Sequence, residues 1–319
     1  MNIVVTGATG FIGRHLCAAL ANTQHQVTIV SRSVPTEFGP NVRTIPNIDL
    51  EQQVDYATLF KDCEVVIHLA GRVHVQGDPE NDPESAYISA NSTATLNLAH
   101  AAIANGVKRF IFLSSIKVNG ESTSLDAPFT PESTPHPIDS YGKSKLEAEN
   151  GLFQLARSSA LEVVVIRPPL VYGPGVRANF LQLLKLVHKQ LPLPLRSVHN
   201  KRSLVGVDNL VNLILTCINH PAAPNNVFFA SDNADISTPD LIRFIAEAEG
   251  RRARLFPFPP FLLRMGAKVL RREDQYLRLC GSLRVDISKT MDVLQWRPIA
   301  TPTEILARTA TYAGLGSHD

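Results

Sequence analysis

A glycine-rich loop near the N-terminus limits the possible folds of this chain more than any other feature. Gly7, Gly10 and Gly13 are spaced G-x-x-G-x-x-G. The loop follows the apolar run Ile3–Thr6 and precedes a helical pattern over Phe11–Asn22. Glycines in such a turn let the backbone approach a ligand closely, and the free N–H groups of a helix N-terminus bind phosphate. The loop therefore predicts a pyrophosphate site at the start of an α/β sheet.

Apolar runs alternate with helical patterns through the first half of the chain. The runs are rich in Val, Ile and Phe, which is typical of strands buried on both faces of a parallel sheet. The predicted strands are Ile3–Thr6, Val27–Val30, Val65–Leu69, Phe110–Ser114 and Val163–Arg167, and the predicted helices are Phe11–Asn22, a stretch near Ala86–Asn105, and Tyr141–Ser158. Residues 204–218 predict a further strand and helix. This order predicts an α/β fold with a Rossmann-type doubly wound parallel sheet.

The pattern changes after Arg167, where prolines and glycines become frequent. We predict a dinucleotide-binding domain formed by residues 1–168 together with about 204–230. Residues 169–203 and about 231–319 would form a smaller mixed α/β substrate lobe. This lobe would cover the carboxyl ends of the strands, where ligands bind in open α/β folds.

The segment 251–272 contains seven arginine or lysine residues, no acidic residue, and Phe256, Phe258 and Phe261. One interpretation is a lid or a contact with a membrane surface. The other is a solvated basic face on a helix that packs through its aromatic side chains. We favour the second, because runs of charge are usually solvated.

The composition argues against several classes of protein. A formal net charge of +2 over 319 residues gives no reason to expect a nucleic acid partner. The four cysteines match neither a metal site nor a disulfide framework, so we expect free thiols in a reducing compartment. No apolar run approaches the roughly 18 residues that cross a bilayer, and no signal-peptide pattern is present. We therefore expect a cytoplasmic protein without a metal.

Tyr141 and Lys145 stand four residues apart at the start of a predicted helix, so they share one face. A lysine cation and an oxidised nicotinamide ring beside a tyrosine would stabilise the phenolate and lower its pKa. Such a pair can take a proton from an alcohol as hydride leaves, or return it as hydride arrives. Ser115, at the end of the fourth predicted strand, would hold the same oxygen. These three residues predict hydride and proton transfer at a carbinol.

The second predicted strand ends in Ser31, Arg32 and Ser33, without the acidic residue that commonly binds the ribose diol in NAD enzymes. A guanidinium at this point suits a 2′-phosphate, and the flanking hydroxyls could donate further hydrogen bonds. Arg32 therefore favours NADP(H) as the cofactor, with NAD(H) as the alternative.

The chain resembles the extended short-chain dehydrogenases/reductases of the nucleotide-sugar epimerase/dehydratase group. The matching stretches are Thr6–Gly13, 66–70, Asn91, 112–120, Tyr141–Lys145, 167–175, 202–209 and 294–298. Besides Arg32, the residues expected at the cofactor are Gly7, Gly10, Phe11, Ile12, Gly13, Asp49, Leu69, Ala70, Gly71, Tyr141, Lys145 and Pro168. The resemblance implies a UDP-sugar substrate, and the predicted contacts are Ser115, Asn119, Tyr141, Asn179 and Arg202.

Relatives often dimerise through two helices per subunit, and residues 96–103 and 146–156 are apolar enough for a homodimer.

Three reactions are known on the scaffold that this chain resembles: 4,6-dehydration, 4-epimerisation and 4-keto reduction. Dehydratases have an Asp-Glu pair just after the serine, where this chain has Ile116 and Lys117. We therefore exclude dehydration. Two further departures weaken the likeness to UDP-galactose 4-epimerases: Asn119 replaces a tyrosine of many relatives, and the loop after Ala70 lacks the epimerase-like Gly-Leu-Lys.

The stretches 114–120 and 167–175 look most like bacterial reductases that form UDP-N-acetylquinovosamine for surface polysaccharides such as the lipopolysaccharide O-antigen. We therefore favour reduction of the C4 ketone of a UDP-4-keto-6-deoxy-N-acetylhexosamine. A UDP-hexose 4-epimerase, acting on UDP-glucose or UDP-GlcNAc, is the alternative. A non-catalytic regulator that senses NADP(H) is a more remote one, because Tyr141, Lys145 and a serine are all present.

Overall fold

A computed structural model describes residues 1–33, 38–52, 54–73 and 82–314 of the chain. In these ranges a parallel sheet has the strand order β3-β2-β1-β4-β5-β6-β9. Its strands are β1 (Asn2–Thr6), β2 (Gln26–Val30), β3 (Val42–Ile45), β4 (Val65–His68), β5 (Arg109–Leu113), β6 (Glu162–Arg167) and β9 (Asn226–Phe229); β7 (Leu170–Tyr172) and β8 (Leu204–Gly206) form a separate parallel pair. The predicted Rossmann-type sheet is confirmed.

Helices cover both faces of the sheet and build the second lobe. They are α1 (Phe11–Ala21), α2 (Tyr56–Leu59), α3 (Pro83–Ile88), α4 (Ala94–Ala104), α5 (Ser140–Ser158), α6 (Ala178–His188), α7 (Val207–Asn219), α8 (Thr238–Ala248), α9 (Pro260–Val269), α10 (Glu273–Cys280), α11 (Ser288–Leu294) and α12 (Pro302–Tyr312). A π-helical turn over Ser89–Thr93 separates α3 from α4 within the predicted helix near 86–105.

Two strands of the main sheet were not predicted. β3 is a partly exposed edge strand that contains Arg43 and Thr44, so it lacks the continuous apolar run of a central strand. β9 lies far along the chain and pairs with β6 at the other end of the sheet. β3 was missed because an edge strand needs less apolar sequence than a strand buried on both faces. β9 is apolar, but it is only four residues long and its partner β6 lies about 60 residues earlier in the chain.

The hydrophobic core consists of three clusters, one on each face of the sheet and one in the second lobe. One side of the sheet packs against α1 and α7, and it also takes in Leu294 and Trp296 from the C-terminal part of the chain. The lobe cluster is centred on α6, α8 and α12. The C-terminal third of the chain therefore contributes to the core beside the sheet and to the core of the second lobe. The domain boundaries given above stay a prediction.

Within the described ranges, no helix combines the length and the apolar character that a bilayer crossing needs. The four cysteines form no disulfide. Burial raises the pKa of Cys17, Cys63 and Cys217 to about 12, so these thiols stay protonated at neutral pH.

Candidate active site and cofactor crevice

The glycine loop connects β1 to α1 and is packed as tightly as its sequence predicts. Gly7 has a φ of +74°, and a Cβ atom added there would lie 2.5 Å from the backbone nitrogen of Ala70. A Cβ atom on Gly13 would lie 2.2 Å from the carbonyl oxygen of Gly7. Gly10 caps α1, whose first N–H groups therefore face the loop. This backbone cradle suits a pyrophosphate, because the free N–H groups at the start of α1 face it, and side chains at Gly7 or Gly13 would force the packed backbone apart.

A cavity of about 430 Å³ runs from this loop across the carboxyl ends of the strands. It brings together seven of the predicted cofactor residues: Gly7, Gly10, Arg32, Asp49, Leu69, Ala70 and Gly71. The lining also includes Ser31, whose hydroxyl was expected to support Arg32, and residues that were not predicted: Thr9, Val30, Ile48, Leu50, Glu51, Arg72, Val73, Ala90 and Ala94. The shape and the glycine cradle fit a dinucleotide. We refer to this cavity as the cofactor crevice.

Other predicted cofactor residues lie beside the crevice. Ile12 packs against the core, and Phe11 lines a separate cavity between α1 and the α6 and α12 helices of the second lobe. Pro168 is buried after β6, where its carbonyl oxygen accepts a hydrogen bond from the Ile116 N–H. The Ser31 hydroxyl donates to the Ser33 carbonyl oxygen and is therefore engaged within the loop.

Substitution of Gly7 tests the crevice. Gly106 has a φ of +73°, and a Cβ atom there would meet nothing within 4 Å. Gly106→Ala therefore measures only the loss of unfolding free energy that comes from placing a side chain on a left-handed backbone, about 1–2 kcal/mol. We expect Gly7→Ala to cost more than this in urea unfolding and to weaken binding of dinucleotide at least tenfold in calorimetry. Equal stability losses and unchanged binding would show that the close approach to Ala70 is unimportant.

The predicted catalytic residues meet at the start of α5. The Asp139 carboxylate caps this helix by accepting the Gly142 N–H at 2.8 Å. Tyr141 lies in the first turn, and its ring meets that of Tyr87 edge-on with centroids 6.2 Å apart. The Ser115 side chain is hydrogen bonded to the Tyr141 phenol. The structure therefore brings Ser115 and Tyr141 together.

The pKa of Tyr141 is raised to about 12 by burial, and this outweighs the hydrogen bond from Ser115, which favours the phenolate. The nearby Asp139 carboxylate raises it further. Without a bound cofactor the pKa of Tyr141 is therefore raised, because burial penalises the phenolate more than the neighbouring groups stabilise it. Tyr141 consequently holds its proton at neutral pH in this state. The lowered pKa expected from the sequence included the charge of an oxidised nicotinamide ring, so it stays a prediction for the cofactor-bound enzyme.

Lys145 is buried at the inner end of the crevice. Its Nζ atom donates to the Leu113 carbonyl oxygen at 3.0 Å and lies 4.5 Å from the centroid of the Phe112 ring. Burial lowers the pKa of Lys145 to about 8, although the Glu149 carboxylate opposes this shift. A Cβ atom on Gly71 would lie 3.2 Å from Nζ. Lys145 therefore directly adjoins the lining of the crevice, as a contact with the nicotinamide ribose would require.

Asn91 lies in the π-helical turn and fastens the crevice loop to α5. Its Oδ1 atom accepts the Arg72 N–H at 2.7 Å, and its Nδ2 atom donates to the Arg72 carbonyl oxygen and to Ser144 Oγ, both at 3.0 Å. Ser144 in turn donates to the Tyr141 carbonyl oxygen. The resemblance included Asn91 without giving it a role. A π-turn often marks a functional site, and here it aims this amide into the loop.

A buried histidine at the end of β4 supports the crevice loop that follows this strand. His68 ends β4, with Nδ1 2.6 Å from Thr6 Oγ1 and Nε2 2.8 Å from Thr95 Oγ1. Burial lowers the pKa of His68 to about 3, and the Lys145 cation contributes in the same direction. The imidazole is therefore neutral, with one nitrogen donating and one accepting. The sequence analysis treated His68 only as part of a matching stretch.

A buried ion pair lies behind the catalytic residues. Arg167, at the end of β6, donates from Nε to Glu149 Oε1 at 2.9 Å, and the two side chains are only 5% and 2% exposed. Ser114 also donates to the Glu149 carboxylate. The sequence analysis did not identify this cluster, which connects α5 with the ends of β5 and β6.

Asn119 belongs to this cluster. It is 2% exposed; its Oδ1 atom accepts from Arg167 at 2.9 Å and its Nδ2 atom donates to the Ser133 carbonyl oxygen at 3.3 Å. The side chain is therefore engaged within the protein. Asn119 as a substrate contact stays a prediction, which this geometry disfavours because the amide is buried and both of its polar atoms already bond within the protein.

The remaining predicted substrate contacts lie in the second lobe. Arg202 donates to the carbonyl oxygen of Gly281 at 3.0 Å. Burial lowers the pKa of Arg202; Glu121 opposes this shift and the nearby Arg278 cation adds to it. Two neighbouring guanidinium groups suit a diphosphate, and Arg278 was not predicted. Asn179 lies in the first turn of α6, and its side chain is outside the described residues.

Comparison with known proteins places the chain in a family. Residues 3–229 match the NAD dependent epimerase/dehydratase family. The chain is 44% identical over 311 residues to the UDP-glucose 4-epimerase of Vibrio cholerae, which covers 97% of this chain and 94% of that protein. It is 28% identical to the N-acetyl-alpha-D-glucosaminyl-diphospho-ditrans,octacis-undecaprenol 4-epimerase of Escherichia coli over 264 residues, covering 81% of this chain and 76% of that one.

Among solved structures, the UDP-glucuronic acid 4-epimerase from Bacillus cereus in complex with NAD has the same fold. The TM-score is 0.79, the identity is 23%, and the match covers 98% of this chain and 99% of that one. The parallel sheet, the glycine cradle and the Tyr141–Lys145 helix agree with these relationships. The chain therefore belongs to the NAD dependent epimerase/dehydratase family, within the extended short-chain dehydrogenases/reductases.

Proposed function

We propose that this enzyme is a UDP-hexose 4-epimerase that interconverts UDP-glucose and UDP-galactose or their N-acetylated counterparts. The main support is the 44% identity to a UDP-glucose 4-epimerase over 97% of the chain. This comparison favours the alternative of the sequence analysis over its leading hypothesis, the 4-keto reductase. The two earlier departures from the epimerase pattern are weaker evidence, because one of them, Asn119, has a structural role in the Arg167 cluster.

The cofactor crevice and the catalytic residues suit oxidation and reduction at C4 of the sugar. A bound nicotinamide dinucleotide would supply a reversible hydride acceptor. Tyr141 Oη would remove the proton from the C4 hydroxyl during oxidation and return it during reduction. The Ser115 hydroxyl would donate a hydrogen bond to the same sugar oxygen. Lys145, held at the Leu113 carbonyl oxygen, would position the ribose and place positive charge near Tyr141.

The second lobe would hold the nucleotide of the sugar. Arg202 and Arg278 would bind the diphosphate, because their mutual repulsion is relieved by an anion between them. The proposal leaves 4,6-dehydration excluded. Ile116 is 4% exposed, and Lys117 forms ion pairs with Glu121 and Asp139. These two carboxylates are therefore bound to a cation and are poor candidates for an acid–base pair at C5 and C6.

One observation keeps the 4-keto reductase as a second candidate: Arg32 lines the crevice where a 2′-phosphate would lie. Asp49 and Glu51 line the same crevice, and two carboxylates there disfavour an additional phosphate. The preference for NADP(H) over NAD(H) therefore stays a prediction, now with evidence against it.

An activity assay separates the two candidates. Purified enzyme with UDP-glucose should form UDP-galactose until equilibrium, without net consumption of added NADH or NADPH. In parallel, the UDP-4-keto-6-deoxy-N-acetylhexosamine should cause no NADPH oxidation, and NADH should bind at least as tightly as NADPH. Stoichiometric NADPH oxidation with the keto sugar, together with no interconversion of UDP-glucose or UDP-GlcNAc, would replace the epimerase with the reductase.

A further inference from the structure

The basic segment 251–272 includes α9, a helix whose apolar residues lie on two opposite sides. Leu263 and Ala267 are partly buried, and Leu263 packs against the lobe core. Phe261, Met265 and Val269 are exposed to 63%, 60% and 81%. At about 100° per residue, these three side chains point away from the side that Leu263 and Ala267 occupy. The favoured interpretation of the sequence, a helix packed through its aromatic residues, is therefore wrong for Phe261.

We call the outward side of α9 the α9 face, defined by Phe261, Leu262, Met265 and Val269. No residue of α9 is buried. Leu270, which follows the helix, is also 69% exposed, although it lies outside the α9 face. Isolated exposed apolar side chains are ordinary, but a contiguous set on one helix marks an interaction surface.

Cations lie along one side of the α9 face and follow it in the sequence. Arg264 and Lys268 lie along one side of it in the helical arrangement, and Arg271 and Arg272 follow the helix. None of these four forms an ion pair with a carboxylate in the described part of the chain. The nearest acidic residues in sequence are Glu273 and Asp274 at the start of α10, so both charged side chains of α9 are cations.

We propose that the α9 face docks on the surface of an anionic lipid bilayer. An apolar helix side with cations beside it is the pattern of helices that lie in a membrane interface, where the apolar side enters the acyl region and the cations bind lipid phosphates. The charge favours this partner over a neutral apolar protein surface, which would leave the cations without counter-ions. The proposal concerns location only and does not depend on the reaction that the enzyme catalyses.

Vesicle flotation tests the proposal with the full chain. Wild-type protein should float with phosphatidylglycerol-containing vesicles, bind pure phosphatidylcholine vesicles at least tenfold more weakly, and dissociate as salt is raised. Phe261→Ser/Met265→Ser and Arg264→Gln/Lys268→Gln should each reduce binding at least tenfold. Ile299→Ser is the matched control, because Ile299 is also 63% exposed but lies outside the segment. Unchanged thermal unfolding of the variants would show that folding is retained.

Three results would overturn the proposal: no binding of wild-type protein, equal binding to both kinds of vesicle, or equal binding of the Phe261→Ser/Met265→Ser variant. The mass of the protein in solution distinguishes the main competing explanation. If the wild-type protein does not bind vesicles and this variant forms a smaller assembly than wild type, the α9 face is an interface between copies of the chain.

Discussion

Replacing Tyr141 by phenylalanine should reduce turnover of the sugar nucleotide by about 10²- to 10⁴-fold, the usual contribution of a positioned acid–base group. The substitution removes one oxygen atom and keeps the ring that packs edge-on against Tyr87. We therefore expect nearly unchanged thermal unfolding and a dissociation constant for dinucleotide within about threefold of wild type, since no packing is lost. Steady-state kinetics and calorimetry measure the two effects separately.

Tyr87→Phe is the matched control for this prediction. Tyr87 is also buried, and its hydroxyl donates to the Val73 carbonyl oxygen at 3.3 Å. Because this hydroxyl bonds the crevice loop and not the predicted reacting oxygen, its loss should reduce turnover less than tenfold. If Tyr141→Phe keeps more than a tenth of the wild-type activity, or if the two variants are equally impaired, proton transfer by Tyr141 is contradicted.

Glu149→Gln should be the most destabilising of the substitutions considered, by about 3–5 kcal/mol, because it leaves the Arg167 cation buried without its counter-charge. Equilibrium unfolding in urea measures this loss. Glu132→Gln is the control, since Glu132 is 64% exposed and pairs with Lys289 on the surface. Its removal should cost about 0–1 kcal/mol.

The double variant Glu149→Leu/Arg167→Met separates burial of an unpaired charge from loss of the pair itself. Replacing both partners of a buried pair by apolar side chains is often close to neutral. We expect the double variant to be more stable than Glu149→Gln. A double variant that is less stable than the single one would show that the hydrogen bonds to Ser114 and Asn119 matter more than the charge balance.

The elements that could be predicted from the sequence are those defined by neighbours along the chain. The glycine loop, the central strands and the Tyr141–Lys145 spacing each occupy a few consecutive residues, and backbone sterics or helical periodicity determine their geometry. The structure contains all of them. It also brings Ser115 to Tyr141, because the helix that follows a strand of a parallel sheet begins near the carboxyl end of that strand.

The supporting residues could not be predicted because their partners are distant in sequence. His68 bonds Thr6, and Asn91 bonds Ser144, across separations of 62 and 53 residues. Glu149, an acidic residue in a helix, gives no sign in the sequence that it is buried against Arg167. The raised pKa of Tyr141 in the cofactor-free protein was not foreseen for the same reason, since burial depends on the packing of several elements. Only the tertiary structure specifies these contacts.

The position of β9 in the sheet has a consequence for biosynthesis. β9 covers the outer edge of β6, yet most of the sequence between these two strands forms β7, α6, β8 and α7. While the chain is being translated, β6 therefore has an open edge until Phe229 has left the ribosome. A truncated chain ending near residue 203 would keep that edge permanently, and unpaired edges of apolar strands promote aggregation. A nucleotide-binding unit that ends before β9 therefore lacks the strand that covers β6 and is expected to aggregate.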